Sequence, residues 1–342
     1  MRYALNASWK RRKTTLSTES GLDALVIDVS HLAHRQAHAL TRFKTADGRP
    51  SGHIYGCFKA VKALYFTYKP RNLVFCYDRG YEWRKALVPS YKQSRRVDAE
   101  AEGPSASDLP ENWDHVDFQL SQRFATRWTP APDVERLLRC IPGIHMAAED
   151  GEADDMVAKY VLENDHHGSV AVFSGDRDLF QLIDDENRIS VMTVKKTKPG
   201  TRNANVTIQE EDVYAHFECG PKLVSRVKAL LGDDSDSIQG LTGAVRPGKR
   251  AALREFATKN LDYFTGGPYS TEGLHPELAL ALDQQRDRMM ANFSVTDLPT
   301  AVSRYKVPME RSAPELAHML GVLIEFECES LLAQCEPWIS LM

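Results

Sequence analysis

No apolar run in this chain is long enough to cross a bilayer, which sets aside a helical membrane span. Cysteine is scarce. Six of 342 residues, Cys57, Cys76, Cys140, Cys219, Cys328 and Cys335, lie scattered with no CxxC pair. That spacing argues against a zinc site or a disulfide framework and for a reducing cytoplasm, with most thiols serving as small core residues. Net charge is also small, −4 from 43 basic and 47 acidic residues. The overall balance therefore does not advertise nucleic-acid binding, and the distribution of charge carries more information. The first 20 residues are basic and Ser/Thr-rich but lack the apolar core of a secretory signal. They read as a disordered leader, with an organelle transit peptide as the alternative. At 42% hydrophobic and 26% charged, the composition is that of an ordinary globular protein, large enough for two domains or one large one.

What the chain does have is carboxylates at the ends of apolar runs. Residues 22–29, LDALVIDV, form a near-continuous apolar run of the kind a parallel strand buried on both faces shows, with Asp28 near its end. A charge there is costly unless it has a cation or partner. Ser30 is placed to cap a helix through about residue 40. A helix over 54–68 and a second strand over 72–77 follow, again with an aspartate, Asp78, at its end, so the three make a βαβ unit. Residues 149–178 hold the densest cluster. Glu152, Asp154 and Asp155 stand at a predicted helix start, where the dipole favours acidic groups, and Met156, Val157, Tyr160 and Val161 give that helix a buried face. The strand 169–173 ends in Ser174-Gly175, followed by Asp176 and Asp178. Asp233, Asp234 and Asp236 form a further acidic group. In an open α/β sheet ligands bind outside the carboxyl ends of strands. Carboxylates gathered there need solvent or cations to stay ionised, and oxygen-rich sites suit Mg²⁺ or Mn²⁺ rather than Zn²⁺. For any one cluster alone, a solvated acidic turn is the competing reading. The recurrence of the pattern weighs against it.

Basic residues have a pattern too. Arg79, Arg84, Lys85, Lys92, Arg95 and Arg96 alternate with Tyr81, Trp83 and Tyr91, which suits single-stranded nucleic acid, with charge on phosphates and rings under bases. The competing reading is a solvated basic helix with its aromatics in the core. Lys195, Lys196 and Lys198 follow the predicted strand 188–194. Helices are expected over 132–140, 209–217 and 221–231, a short strand over 143–147, and a helix beginning at 179. Gly240, Gly243 and Gly248 make a turn before Lys249 and Arg250 open another helix, an arrangement that can clamp a phosphate, although a plain packing unit is equally compatible. The acidic stretch 98–117, with Gly103, Pro104 and Pro110, looks like a mobile insertion. Residues 275–292 and 313–333 look like amphipathic helices without assignable chemistry.

Taken in order, ALVIDVSHLAHR, PSGHIYG, LVFCYDRGYEWRKALVPSYKQSR, GEADDMVA, VFSGDRD and LLGDDSDSIQG resemble the 5′-nuclease family of flap endonucleases and 5′–3′ exonucleases. In style the chain looks most like stand-alone bacteriophage 5′-exonucleases. The resemblance implies an α/β fold: a Rossmann-like, PIN-type, mostly parallel sheet flanked by helices, with a helical arch and a helix–three-turn–helix DNA-binding unit. It divides the chain into a nuclease core over 21–205 with the arch at about 79–130, a DNA-binding region over 206–265 and a C-terminal helical region over 266–342 packing on the core. It implies a pair of divalent sites, with Mg²⁺ as the ion and Mn²⁺ as a substitute. Asp28, Asp78, Glu152, Asp154 and Asp155 would serve one ion. Asp176, Asp178, Asp233 and Asp236 would serve the other, and Glu152 could serve both. Lys92, helped by Arg95, would stabilise the scissile phosphate, and Asp155 belongs to the catalytic set. Arg35, Arg84, Lys85, Tyr91, Arg96, Lys195, Lys196, Gly243, Gly248, Lys249 and Arg250 would contact DNA, with Tyr91 stacking on a terminal base. K⁺ is implied at the glycine turn, where this chain departs from the family by a longer GLTGAVRPGKRAA with Pro247 before Gly248. The implied substrate is DNA with 5′ ends, flaps or nicks, extending to RNA primers or RNA–DNA hybrids, acted on by a monomer away from any membrane.

Rival functions are a non-catalytic DNA-structure-binding protein, a PIN-type ribonuclease and a haloacid-dehalogenase-like phosphatase. The first has no use for so many carboxylates facing phosphate. The second is normally shorter and lacks the glycine turn. The third needs a DxDx(T/V) motif, which Asp28-Val29-Ser30-His31 does not supply.

Overall fold

The computed structural model describes residues 22–93, 130–195, 204–242 and 249–342. Its centre is a sheet in which β1 (Leu22–Asp28), β2 (Asn72–Cys76), β3 (Gly143–Met146), β4 (Ser169–Phe173) and β5 (Ile189–Lys195) run parallel. Strands β6 (Ala204–Ile208) and β7 (Glu310–Ser312) pair antiparallel with β5 and β3 at the two edges. The order is β6-β5-β4-β1-β2-β3-β7. The chain steps outward from β1 to β3, then returns to lay β4 on the other side of β1. The switch point, where α/β sheets bind ligands, therefore lies between the carboxyl ends of β1 and β4.

Every residue of β1 is buried, and alternate residues serve opposite faces. Ala24 and Val26 join Val74, Val170 and Val172 in one core. Leu25 and Ile27 join Leu73, Phe75 and Phe173 in the other. Over the first face pack α5 (Ala153–Glu163), α7 (Val224–Leu231), α8 (Arg250–Lys259), α9 (Pro276–Gln284), α10 (Arg286–Thr296) and α11 (Leu298–Val302). Over the second pack α1 (Val29–Ala39), α2 (Gly52–Tyr68), α4 (Ala131–Leu138), α12 (Leu316–Glu325) and α13 (Cys335–Ile339). Two short helices remain: α3 (Glu82–Leu87), at the carboxyl edge of the sheet, and α6 (Glu210–Phe217). The C-terminal region thus covers both faces, and β7 carries it around the β3 edge.

Several boundaries differ from expectation. Asp28, not Ser30, caps α1: its Oδ1 accepts the His31 N–H at 2.9 Å. The helix expected from 179 is a 3₁₀ segment, Asp178–Leu182. The helix expected over 275–292 breaks at Gln285 into α9 and α10, and that over 313–333 ends at Glu325. The leader, the acidic insertion 98–117 and most of the arch lie outside the described residues, as do Arg95, Arg96, Lys196, Gly243, Gly248 and the side chain of Lys195. Among the described residues no helix is long and apolar enough to cross a membrane.

Candidate metal and phosphate site

The carboxyl ends of the parallel strands bring the acidic residues together. Asp28 ends β1, Asp78 follows β2, Asp176 follows β4, and the segment after β3 delivers Glu152 and Asp154 at the start of α5. Three of them are held by local hydrogen bonds. Asp28 Oδ2 accepts the Ser174 hydroxyl at 2.8 Å, tying β1 to β4. Asp78 Oδ1 accepts the Ala153 N–H at 2.5 Å, so the β2 carboxylate sits on the N-terminus of α5. Asp176 Oδ1 accepts the Asp178 N–H at 2.9 Å. A Cβ on Gly175 would stand 2.3 Å from His31 Cε1, so any side chain there would displace the imidazole ring.

The groups feel one another. Burial, then the charges of Asp78 and Asp176, push the Asp28 carboxyl up to about 7. Burial, then Asp176 and Asp28, raise Asp154 well above the usual carboxylate range. Lys92 offsets only part of this negative charge, and the donor set is all oxygen, which is the chemistry a hard divalent cation takes. A second group lies alongside. One oxygen each from Asp178, Asp233 and Asp236 fall within 4.8 Å of one another. Here the compensating charge comes from the chain itself: Lys228 on α7 pairs with Asp178 and stands 2.6 Å from Asp233. Burial alone would raise Asp233, but the Lys228 ammonium and the Ser235 hydrogen bonds hold it below the usual range. Lys228 did not stand out in the sequence, although a lysine one turn after Val224 on a buried stripe is a readable signal.

Lys92 joins the two groups. Its backbone N–H donates to the Asp236 carbonyl at 2.8 Å, its φ is +53°, and its buried ammonium pairs with Glu152. A lysine ammonium has three donors, so it can hold Glu152 and still meet a phosphate oxygen. A cavity of about 200 Å³ opens beside Asp78, lined by Ser30, His34, Arg79 and Glu135 among others. Arg35 is half-buried on α1, one turn beyond His31, and burial lowers its pKa.

Three expectations are corrected. Asp155 is fully buried and turned away from the cluster. Arg84 grips it with Nη1 at 2.8 Å and Nη2 at 2.6 Å, and it caps its own helix by accepting the Glu152 N–H at 3.0 Å. Arg84 in turn is 2% exposed and faces inward, not towards a nucleic acid. Burial disfavours its charge, but the bonds to Asp155 outweigh that and raise its pKa. Tyr91 is also buried: its hydroxyl donates to Glu152 Oε2 at 2.8 Å, and its ring meets Tyr81 edge-on rather than an open surface. The remaining basic residues are nearer the surface. Lys85 pairs with Glu82 over the Tyr81 ring, Lys249 stands 3.0 Å from Glu277, and Arg250 is exposed at the start of α8. Pairs of this kind, each with an exposed carboxylate, are weak.

The turn after α7 is held from the C-terminal region. Asn292 Nδ2 donates to the carbonyls of Ala229 and Gln239 at 3.1 and 2.9 Å. Arg288 Nη2 donates to the Gly240 carbonyl at 2.8 Å, and Gln285 Nε2 to that of Thr242 at 3.0 Å. Gln285, Arg288 and Asn292 share the inner side of α10 and its cap, a pattern that polar residues in an amphipathic helix do not disclose.

This arrangement, a parallel sheet with acidic residues at its switch point, defines an α/β nuclease fold. The model of the 5′-3′ exonuclease N-terminal, resolvase-like domain matches residues 23–218, and the chain belongs to that family. A 5′-3′ exonuclease of Streptomyces coelicolor is 27% identical over 215 residues, 62% of this chain and 65% of the relative. A thermostable DNA polymerase I of Thermus filiformis is 28% identical over 321 residues, 90% of this chain but 32% of the polymerase. The chain therefore spans less than two-thirds of the length of these relatives. In fold it is similar to T5 5′-exonuclease bound to zinc ions, with a TM-score of 0.58 and 19% identity over 91% of this chain and 98% of that one. It is likewise similar to T5 flap endonuclease with DNA and metal ions, with a TM-score of 0.56 and 20% identity over 90% and 97%.

Proposed function

We propose that the protein is a structure-specific 5′-nuclease that hydrolyses phosphodiester bonds of DNA at 5′ ends, flaps or nicks, with RNA primers as a further substrate. The observation that carries this is the convergence of Asp28, Asp78, Glu152, Asp154 and Asp176 from separate elements beside Lys92. Asp28, Asp78, Glu152 and Asp154 would hold one Mg²⁺ or Mn²⁺, joined by Asp176, which the resemblance grouped with Asp178 but whose charge bears on Asp28 and Asp154. Asp178, Asp233 and Asp236 would hold the other, with the Lys228 ammonium giving way from Asp178 and Asp233. Bound cations of this kind supply an activated water and stabilise charge on the leaving oxygen of an in-line displacement. The chain's own groups do the rest. Ser174 and the Ala153 N–H keep Asp28 and Asp78 oriented, which removes reorganisation when substrate arrives. Lys92 brings positive charge to the phosphate, and Arg35, Lys85, Lys249 and Arg250 contact the backbone on either side. Residues 206–265 act as the DNA-binding unit, and the monomer is the working form. The K⁺ implied at the glycine turn falls on 243–248, outside the described residues.

The test is a product-length assay on labelled 5′-flap, nicked and blunt duplexes with Mg²⁺ and with EDTA. Asp176→Asn should slow cleavage by about a hundredfold or more while flap binding survives, because one ligand of the ion site is lost. Wild-type turnover by Asp176→Asn at saturating Mg²⁺ refutes the assignment, and cleavage that persists in EDTA refutes the metal dependence.

A further inference from the structure

The C-terminal region makes direct contact with the acidic site. Tyr305 lies in the segment after α11, far in sequence from the acidic residues at the carboxyl ends of the strands, yet its hydroxyl reaches the start of α5. It accepts the Trp83 Nε1–H at 2.7 Å. It stands 3.0 Å from the Asp150 carbonyl and 3.1 Å from Asp155 Oδ2, so its one proton has two acceptors. Asp155 Oδ2 is the oxygen that also receives Arg84 Nη1 and the Glu152 N–H.

The same contact surface holds α3 from other directions. The Asp150 carboxylate caps α3, accepting the N–H groups of Glu82 at 2.5 Å and Trp83 at 2.9 Å. The Trp83 ring meets the guanidinium groups of Arg84 and Arg304, whose Cζ atoms stand 4.4 and 4.2 Å from its centroid. Arg84 Nε donates to the Val295 carbonyl at 3.0 Å. Tyr91 and Lys92, which grip Glu152, follow α3 within one short turn. A displacement of α3 would therefore carry them off Glu152.

We propose that Tyr305 is a positioning residue: its hydroxyl locks α3 onto the acidic start of α5 and so sets where Arg84, Tyr91 and Lys92 stand against Asp155 and Glu152. Its hydroxyl bonds to none of the proposed ion-binding oxygens and acts through Trp83 and Asp155. This gives the C-terminal region a part in the cleavage site, and it rests on the reading of the acidic cluster as that site.

Tyr305→Phe keeps the ring and removes the hydroxyl. Single-turnover cleavage of a 5′-flap duplex in Mg²⁺ should slow by about tenfold, the size typical of lost support behind a metal ligand. Flap affinity in EDTA should change by less than about twofold, since no DNA contact is removed. Mn²⁺ binding without DNA, followed by electron paramagnetic resonance, should weaken. Trp83→Phe leaves Tyr305 and its bond to Asp155 intact and should act in the same direction. The double variant should be no slower than Tyr305→Phe, because both changes break one connection. A wild-type cleavage rate in Tyr305→Phe overturns the proposal, as does a rate loss matched by an equal loss of flap affinity. If Tyr305→Phe does not fold, a wild-type rate and Mn²⁺ affinity in Trp83→Phe overturn it instead. Asp176→Asn separates the two levels. An active Asp176→Asn removes the site reading itself, whereas an inactive Asp176→Asn beside a fully active Tyr305→Phe removes only the positioning role.

Discussion

Asp154 and Asp155 are neighbours with opposite duties. Successive residues in a helix point about 100° apart, so carboxylates packed into one helical turn cannot all face the same ion. Asp154 is turned towards Asp28 and Asp176, whose charges raise its pKa, while Asp155 is committed to Arg84. Composition and spacing mark both as acidic residues at a helix start and cannot tell them apart. The pair predicts a stability effect rather than a DNA-binding effect. Arg84→Met leaves Asp155 buried without its partner and should cost about 3–5 kcal/mol in urea unfolding. Adding Asp155→Leu should recover most of that, short of about 1 kcal/mol for the lost helix cap. A loss below about 1 kcal/mol for Arg84→Met alone would contradict the buried-pair argument.

Among elements, the parallel strands were legible because burial on both faces leaves continuous apolar runs. The edge strands were not. ANVTI is only half-buried, and ERS is three polar residues whose strand character comes from pairing with β3. The turn after α7 shows what local sequence does determine. Gly232 has φ +84°, and a Cβ on Gly240 would stand 2.3 Å from the Leu231 carbonyl carbon, so the two strands of the turn touch through glycines. Gly240→Ala must push backbone against backbone. It should destabilise by roughly 1–3 kcal/mol and weaken flap binding while Mn²⁺ binding without DNA is retained. Thermal unfolding with fluorescence anisotropy checks this, and unchanged melting with unchanged affinity would show that the turn can open.

Across the whole molecule, the near-neutral charge conceals a local excess of carboxylate at the switch point. The Asp28 pKa of about 7 has a consequence for stability. The folded protein holds a proton that the unfolded chain, with an ordinary carboxylate near pH 4, has released. The metal-free protein should therefore lose stability as pH rises from about 4 through about 7, and Asp28→Asn should flatten that loss. A divalent ion compensates the ionised cluster, so Mg²⁺ should raise the melting temperature more at about pH 8 than at about pH 5. Equal rises at both pH values, read by differential scanning calorimetry, would count against a shared carboxylate site.

Continuous apolar runs by themselves determined the parallel strands, short motifs marked their aspartate endings and the glycine-tight turn, and the order of those motifs carried the resemblance to the family, because those are properties of a few neighbouring residues. Only tertiary structure decided which carboxylates face each other, which cations answer them and how the C-terminal region reaches the site. The physical reason is distance along the chain. Tyr305 meets Asp155 and Lys228 meets Asp178 through the packing of separate elements, and no local pattern records where a side chain arrives after the sheet has closed beneath it.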